Sequence, residues 1–161
     1  MTASGARSAG IVLVRIREGA GEVLLVHPGG PFWSRRDAGA WSIPKGEYGA
    51  DENPQAVALR EFAEELGVPC PVRELIDIGS VRQAGGKLVT AWAACADLDD
   101  STLAGVGAAS NRFEIEWPPR SGTRQSFPEV DRAAFFPEPE ALVRAVAAQG
   151  ELIRRALAAV G

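Results

Sequence analysis

Residues 46–68 read GEYGADENPQAVALREFAEELGV, and three carboxylates, Glu61, Glu64 and Glu65, crowd its second half. A helix brings residues three and four positions apart onto one face, so Glu61 stands beside both Glu64 and Glu65. Like charges stacked in this way cost a bare helix roughly 0.2–0.5 kcal/mol per pair. The cluster is unfavourable unless a counter-ion sits on it. Hard divalent cations, Mg2+ above all, take carboxylate oxygens of this kind and usually engage substrate phosphates as well. The competing reading is a solvated acidic helix face, which holds for most Glu-rich helices.

The local signals set the helix bounds. Asn53 is placed to cap the N-terminus and Pro54 to occupy the first helical position, where its missing N–H costs nothing. Gly67 suits the left-handed residue that ends a helix after Leu66. Ala56, Leu59, Ala63 and Leu66 recur at three- and four-residue spacing and form the expected buried stripe, with the acids largely off it.

The spacing of the segment separates the two readings. It matches G-x5-E-x7-R-E-U-x-E-E-x-G-U, where U is a bulky apolar residue. Gly46, Glu52, Arg60, Glu61, Phe62, Glu64, Glu65, Gly67 and Val68 fill the fixed places. This is the pattern of the Nudix box, and the chain resembles the Nudix hydrolase family. The resemblance implies a metal-dependent hydrolase that cleaves a pyrophosphate bond in a nucleoside diphosphate linked to another moiety. It implies Mg2+ as cofactor, with Mn2+ as a substitute, and Glu61, Glu64 and Glu65 as metal ligands. Glu61 or a neighbouring carboxylate would orient or deprotonate the attacking water, and Arg60 would hold the box carboxylates in place. Glu52 is either a structural brace or an outer partner of the metal. Many family members add a glutamate from a loop before a late strand. Glu129, in PEVDRAAFF, is the favoured match, with Glu114 and Glu116 as alternatives and Asp131 as a turn or salt-bridge residue.

Outside the box, Ile11 to Ile16 and Glu22 to His27 read as a hairpin joined by REGAG. Pro28 to Ala40 reads as a loop and Trp41 to Ile43 as a short strand. Leu75 to Arg82 and Lys87 to Ala96 are strands around Ala84-Gly85-Gly86. Leu98 to Ser110 and Ser121 to Pro128 read as loops, Arg112 to Trp117 and Ala133 to Phe136 as strands. Pro139 to Val160 supplies one helix broken near Gln149-Gly150, or two. This order predicts an α+β fold, sharpened by the resemblance to the Nudix α/β/α sandwich around a central mixed sheet. One domain over residues 1–161 is expected, with about 1–8 flexible.

Further site candidates lie in the loops. Arg35 and Arg36 are expected to clamp substrate phosphates, the alternative being a solvated pair. Lys45, beside Gly46, is a second candidate for a phosphate contact, or a surface lysine. Trp33 or Trp117 would suit stacking on a base, although core packing is the commoner role of such aromatics. His27 is the only histidine. With no second histidine to partner, a catalytic part for it is disfavoured.

The net charge of −4 gives no strong nucleic-acid signal. It remains compatible with a small anionic nucleotide held through metal ions, which invert the local charge. Cys70 and Cys95 are expected to be buried reduced thiols. No apolar run has the length of a membrane span, and the N-terminal residues lack signal-peptide features, so no membrane partner and a cytoplasmic location are expected. Oligomeric state, monomer or homodimer, is not legible. The run GAWSIPKGE tilts the substrate toward a nucleotide polyphosphate, such as a dinucleoside tetraphosphate or an oxidised dNTP. A non-catalytic nucleotide sensor and an RNA 5′-end pyrophosphohydrolase are the alternatives.

Overall fold

The computed structural model describes residues 5–161. Its centre is a mixed sheet built on β1 (Arg7–Arg17). β1 pairs antiparallel with β2 (Ala20–Pro28) and, through its first residues, with β3 (Lys45–Glu47). On its other side β1 runs parallel to β5 (Leu88–Cys95), which pairs antiparallel with β4 (Ile76–Arg82). β8 (Val130–Pro137) closes the far edge against β2, giving the order β4-β5-β1-β2-β8. Glu18 and Gly19 both adopt positive φ in the β1–β2 turn, the conformation that matches the twist of a tight hairpin.

The run Ile11–Val14 is apolar at every position because β1 is covered on both faces. Ile11 and Leu13 join Val57, Ala58, Phe62 and Leu66 of helix α1 (Pro54–Leu66) in one core. Val12 and Val14 join Leu152, Ile153 and Ala156 of the last helix in the other. The result is the expected α/β/α sandwich. The short helices α2 (Asp100–Ala104) and α3 (Val106–Ala109) lie on the α1 side, Val106 fully buried among its residues. α4 (Glu138–Arg144) and α5 (Gly150–Val160) close the opposite face.

Several expectations are corrected. Residues 1–4 of the segment expected to be flexible lie outside the described residues, whereas Arg7 and Ser8 form the first rungs of β1. Residues 98–110, read as loop, contain α2 and α3. Within 121–128, also read as loop, Arg124–Pro128 forms β7, which pairs with β6 (Arg112–Glu116) in a separate two-stranded sheet. Trp41–Ile43 makes only isolated bridges, one from Ser42 to Val26 and one from Trp41 to Ala145. The C-terminal segment does form two helices, and the break expected near Gln149-Gly150 spans residues 145–149, with the second helix starting at Gly150. Cys95 is exposed and Cys70 half-buried, both as free thiols. No helix among the described residues is long and apolar enough to cross a membrane.

Candidate active site

Helix α1 begins as its sequence prescribes. The Asn53 side chain accepts the Ala56 N–H at 3.0 Å, Pro54 is in the first turn, and Gly67 ends the helix at φ 78°. The buried stripe is displaced from the expected one. Val57, Ala58, Phe62 and Leu66 face the sheet, while Ala56 is exposed and Leu59 and Ala63 are half-buried. Glu61 and Glu65 follow Val57 at four-residue spacing and therefore border the sheet instead of pointing to water.

That displacement explains the electrostatics. Burial, then repulsion from Glu64, raises the Glu61 carboxyl from its ordinary value near 4.5 to about 7. Burial, then repulsion from Glu61, raises that of Glu65 to about 8 against the favourable pull of Lys45. Glu129 contributes repulsion to both. Lys45 is itself lowered, first by burial and next by Lys87. It lines one cleft of about 160 Å³ together with Glu65, Glu129, Pro28, Ala40 and Ser42. The chain thus brings the end of α1, the start of β3 and the β7–β8 junction to one place.

Gly46 shows how closely these parts fit. A side chain on its Cα would run into the Glu61 carboxyl group, so the glycine is needed for close approach. On the outer side, Arg60 Nη1 donates to Glu52 Oε2 at 3.2 Å, and Arg60 Nη2 lies 3.7 Å from Glu61 Oε2. Glu52 also accepts the Gly49 N–H at 2.9 Å. In this geometry Glu52 braces Arg60, and Arg60 leans on Glu61.

The donor set suits a hard divalent cation. Buried carboxylates that retain protons for want of counter-charge are the groups whose charge state such an ion reverses. Among the described residues, no three acidic, histidine or cysteine side chains are already gathered as a closed ion cage. The fit therefore rests on the charge and crowding of the donors. Glu61, Glu64, Glu65 and Glu129 are the residues available to hold it.

Other candidates fall elsewhere. Arg35 and Arg36 stand on the exposed 29–40 loop and do not line the cleft; the Arg36 guanidinium lies 5.5 Å from the centre of the Trp33 ring. Glu114 and Glu116 are exposed, the first 3.4 Å from Arg124 and the second accepting the Gly122 N–H at 2.8 Å. His27 is fully buried, its Nδ1 2.8 Å from Asp131 Oδ1 and its Nε2 2.7 Å from the Arg36 carbonyl oxygen. Asp131 thus packs its carboxylate against His27, and His27 ties the arginine loop to β8. Asp37 anchors the same loop by accepting the Trp41 indole N–H at 2.6 Å and the Arg144 guanidinium at 2.7 Å. Reasoning from motifs missed Pro28, Ala40 and Ser42 as cleft lining, because backbone and small side chains carry no chemical signature.

Comparison with known proteins agrees with this architecture. An RNA pyrophosphohydrolase of Hahella chejuensis is 36% identical over 56 residues, which cover 34% of this chain and 35% of that protein. The chain thus aligns with about a third of that relative's length. The NUDIX domain of Shewanella oneidensis NrtR, solved with ADP ribose, superposes with a TM-score of 0.63 at 18% identity, covering 99% of this chain and 91% of that one. A C. elegans Ap4A hydrolase superposes with a TM-score of 0.61 at 22% identity over 96% and 97% of the two chains. At these identities the superpositions speak for the fold. The profile described as NUDIX domain matches residues 6–156, nearly the whole length, and the chain belongs to that family.

Proposed function

We propose that this protein hydrolyses a pyrophosphate bond in a nucleoside diphosphate linked to another moiety, in a divalent-metal-dependent reaction, and that its substrate is a nucleotide polyphosphate. The observation that carries the reading is the meeting of Glu65, Lys45 and Glu129 around one cleft, with Glu61 close enough to repel both carboxylates. A cluster of that charge is poorly explained as packing, since it opposes burial. It is well explained as a place where cations and phosphate oxygens are to be bound.

Mg2+ or Mn2+ held by Glu61, Glu64, Glu65 and Glu129 would supply charge neutralisation at the phosphates and a lowered pKa for water. The chain's own residues do the positioning. Lys45 presents its ammonium to phosphate oxygens from the floor of the cleft. Arg60, braced by Glu52, fixes the Glu61 carboxyl. Glu61 or a neighbouring box carboxylate would take the proton from the attacking water, which a bound cation makes more acidic. Water adds to phosphorus, the bridging P–O bond breaks, and the leaving phosphate departs with the electron pair.

The similarity to an Ap4A hydrolase supports a dinucleoside polyphosphate, and the low net charge favours a small ligand over a long polyanion. The partial match to an RNA pyrophosphohydrolase supports a second reading, removal of pyrophosphate from an RNA 5′ end. A panel of dinucleoside polyphosphates, dNTPs and 5′-triphosphorylated RNA, assayed with Mg2+ or Mn2+, separates them. No metal-dependent turnover of any member would refute the proposal.

A further inference from the structure

Gln149 is fully buried in the turn that precedes α5, and its amide ties two distant parts of the chain together. Its Oε1 accepts the Ile43 N–H at 2.9 Å. Its Nε2 donates to Ser42 Oγ at 3.0 Å and to Gln83 Oε1 at 2.9 Å. The backbone N–H of Ile43 can only donate, so the orientation of the amide is fixed. The turn itself needs none of these bonds, because it closes through backbone, the Gln149 N–H on the Val146 carbonyl at 2.9 Å. What the side chain holds is the neighbouring segment, residues 42 and 43.

That segment is a wall of the cleft. Ser42, Ile43 and Lys45 all line it, yet residues 41–43 have little sheet to hold them. Ser42 exchanges both its backbone bonds with Val26, at 2.8 and 2.9 Å, in an isolated bridge. The next N–H, that of Ile43, faces away from Val26 and has no strand to pair it. Ile43 is fully buried, and a donor orphaned in the interior is what folded chains avoid; Gln149 supplies the acceptor. Pro44 follows, its ring fixing φ, and its carbonyl accepts the Ile11 N–H at 3.1 Å. The step from Ile43 to Lys45 is therefore stiff, and the place of Ile43 sets that of Lys45. The far partner, Gln83, opens the turn between β4 and β5. The same turn reaches the wall a second time, where Lys87 Nζ lies 3.1 Å from Glu47 Oε2 at the end of β3.

We propose that Gln149 is a positioning residue of the phosphate site: it clamps Ser42 and Ile43 to the β4–β5 turn and so sets the place of Lys45 relative to Glu65 and Glu129. The inference rests on the hydrolase reading above and adds to it a residue far outside the box. Gln149 touches no substrate and acts through the wall it holds. A residue of this kind differs from a packing residue in where its loss is felt. Its removal weakens phosphate binding only while the lysine it positions is there to be misplaced.

Calorimetric titration with methylenediphosphonate in Mg2+ tests this across the wild type, Gln149→Met, Lys45→Met and the double variant. Methionine keeps the length of glutamine and removes its amide. Gln149→Met should weaken binding by about tenfold in the wild-type background and by less than about twofold in Lys45→Met. Mg2+ on the carboxylates keeps binding measurable without the lysine. Urea unfolding of the same four proteins reads the packing loss, which should be equal in the two backgrounds. Equal weakening of binding in both backgrounds, unchanged affinity in Gln149→Met, or no binding by the wild type would overturn the assignment. If Gln149→Met folds poorly, Gln83→Met removes only the outer end of the clamp. It should weaken binding by about threefold, again only where Lys45 is present. Wild-type turnover, measured separately, decides the hydrolase reading: Lys45-dependent coupling without turnover would sink hydrolysis and leave the positioning role standing.

Discussion

Glu65 of α1 and Glu129 of the β7–β8 junction line the same cleft, together with Lys45 of β3. Two carboxylates from distant parts of the chain are thereby held near each other and near Glu61. The fold opposes their mutual repulsion with packing from both cores, and the consequences are measurable.

The first concerns pH. The Glu61 and Glu65 carboxyls titrate near 7 and 8 in the folded protein and near 4.5 when unfolded. Between those values the folded chain binds more protons than the unfolded one, so stability falls as pH rises. Without divalent ions, Tm should drop by at least about 5 °C from pH 5 to pH 8.5, and Mg2+ should restore most of that loss. Glu65→Gln should flatten the profile. Thermal melts across this range, with and without Mg2+, check it; a Tm that rises with pH in the ion-free protein would contradict the assignment.

Glu129 contributes charge to the cluster without belonging to the box. Glu129→Gln should raise the Mg2+ concentration for half-maximal turnover by about tenfold, the size of effect expected when a binding ligand is weakened. An unaltered metal profile would move the role to Glu114 or Glu116, although both stand exposed on the hairpin.

Gly46→Ala separates fold from site. The atoms it would meet are the carboxyl group and Cγ of the Glu61 side chain, a flexible chain that can rotate away without moving backbone. Tm should therefore change by only about 2 °C, while kcat falls by about a hundredfold because Glu61 is misplaced. Parallel melting and kinetic measurements decide; full activity would show that Glu61 need not occupy this position.

His27 should behave as a structural residue. Both ring nitrogens lie within hydrogen-bonding distance of oxygen acceptors in the interior, at Asp131 and the Arg36 carbonyl. His27→Ala leaves those groups and a cavity behind, a loss of about 2–4 kcal/mol in denaturant unfolding. Retention of wild-type stability with loss of turnover would instead give it a place in the chemistry.

The box and its helix were legible because their determinants are local: Asn53, Pro54 and Gly67 act through backbone chemistry within a few residues of themselves. The buried stripe was misjudged because hydrophobic periodicity counts Glu61 and Glu65 as solvent-facing, whereas their row lies against the sheet. Strand β7 was illegible for another reason. Ser, Gly and Pro around Arg124–Pro128 resemble a loop, and only pairing across to β6 makes them a strand. α2 and α3 escaped notice because small residues in 100–109 carry little helical periodicity; Val106, fully buried, is their one strong anchor. The meeting of Glu129 with Glu65 depends on that long-range pairing too. Sequence resemblance proposed Glu129, but only the folded chain shows which of the three candidates adjoins the cleft.

The most direct measurement of the central claim is turnover of a dinucleoside tetraphosphate or dNTP in Mg2+ by the wild-type protein, Glu64→Gln and Glu65→Gln. Metal-dependent hydrolysis in the wild type, reduced by at least about a hundredfold in each variant, is the predicted result. Unchanged turnover in both variants would contradict the assignment of a metal-and-water site to these carboxylates.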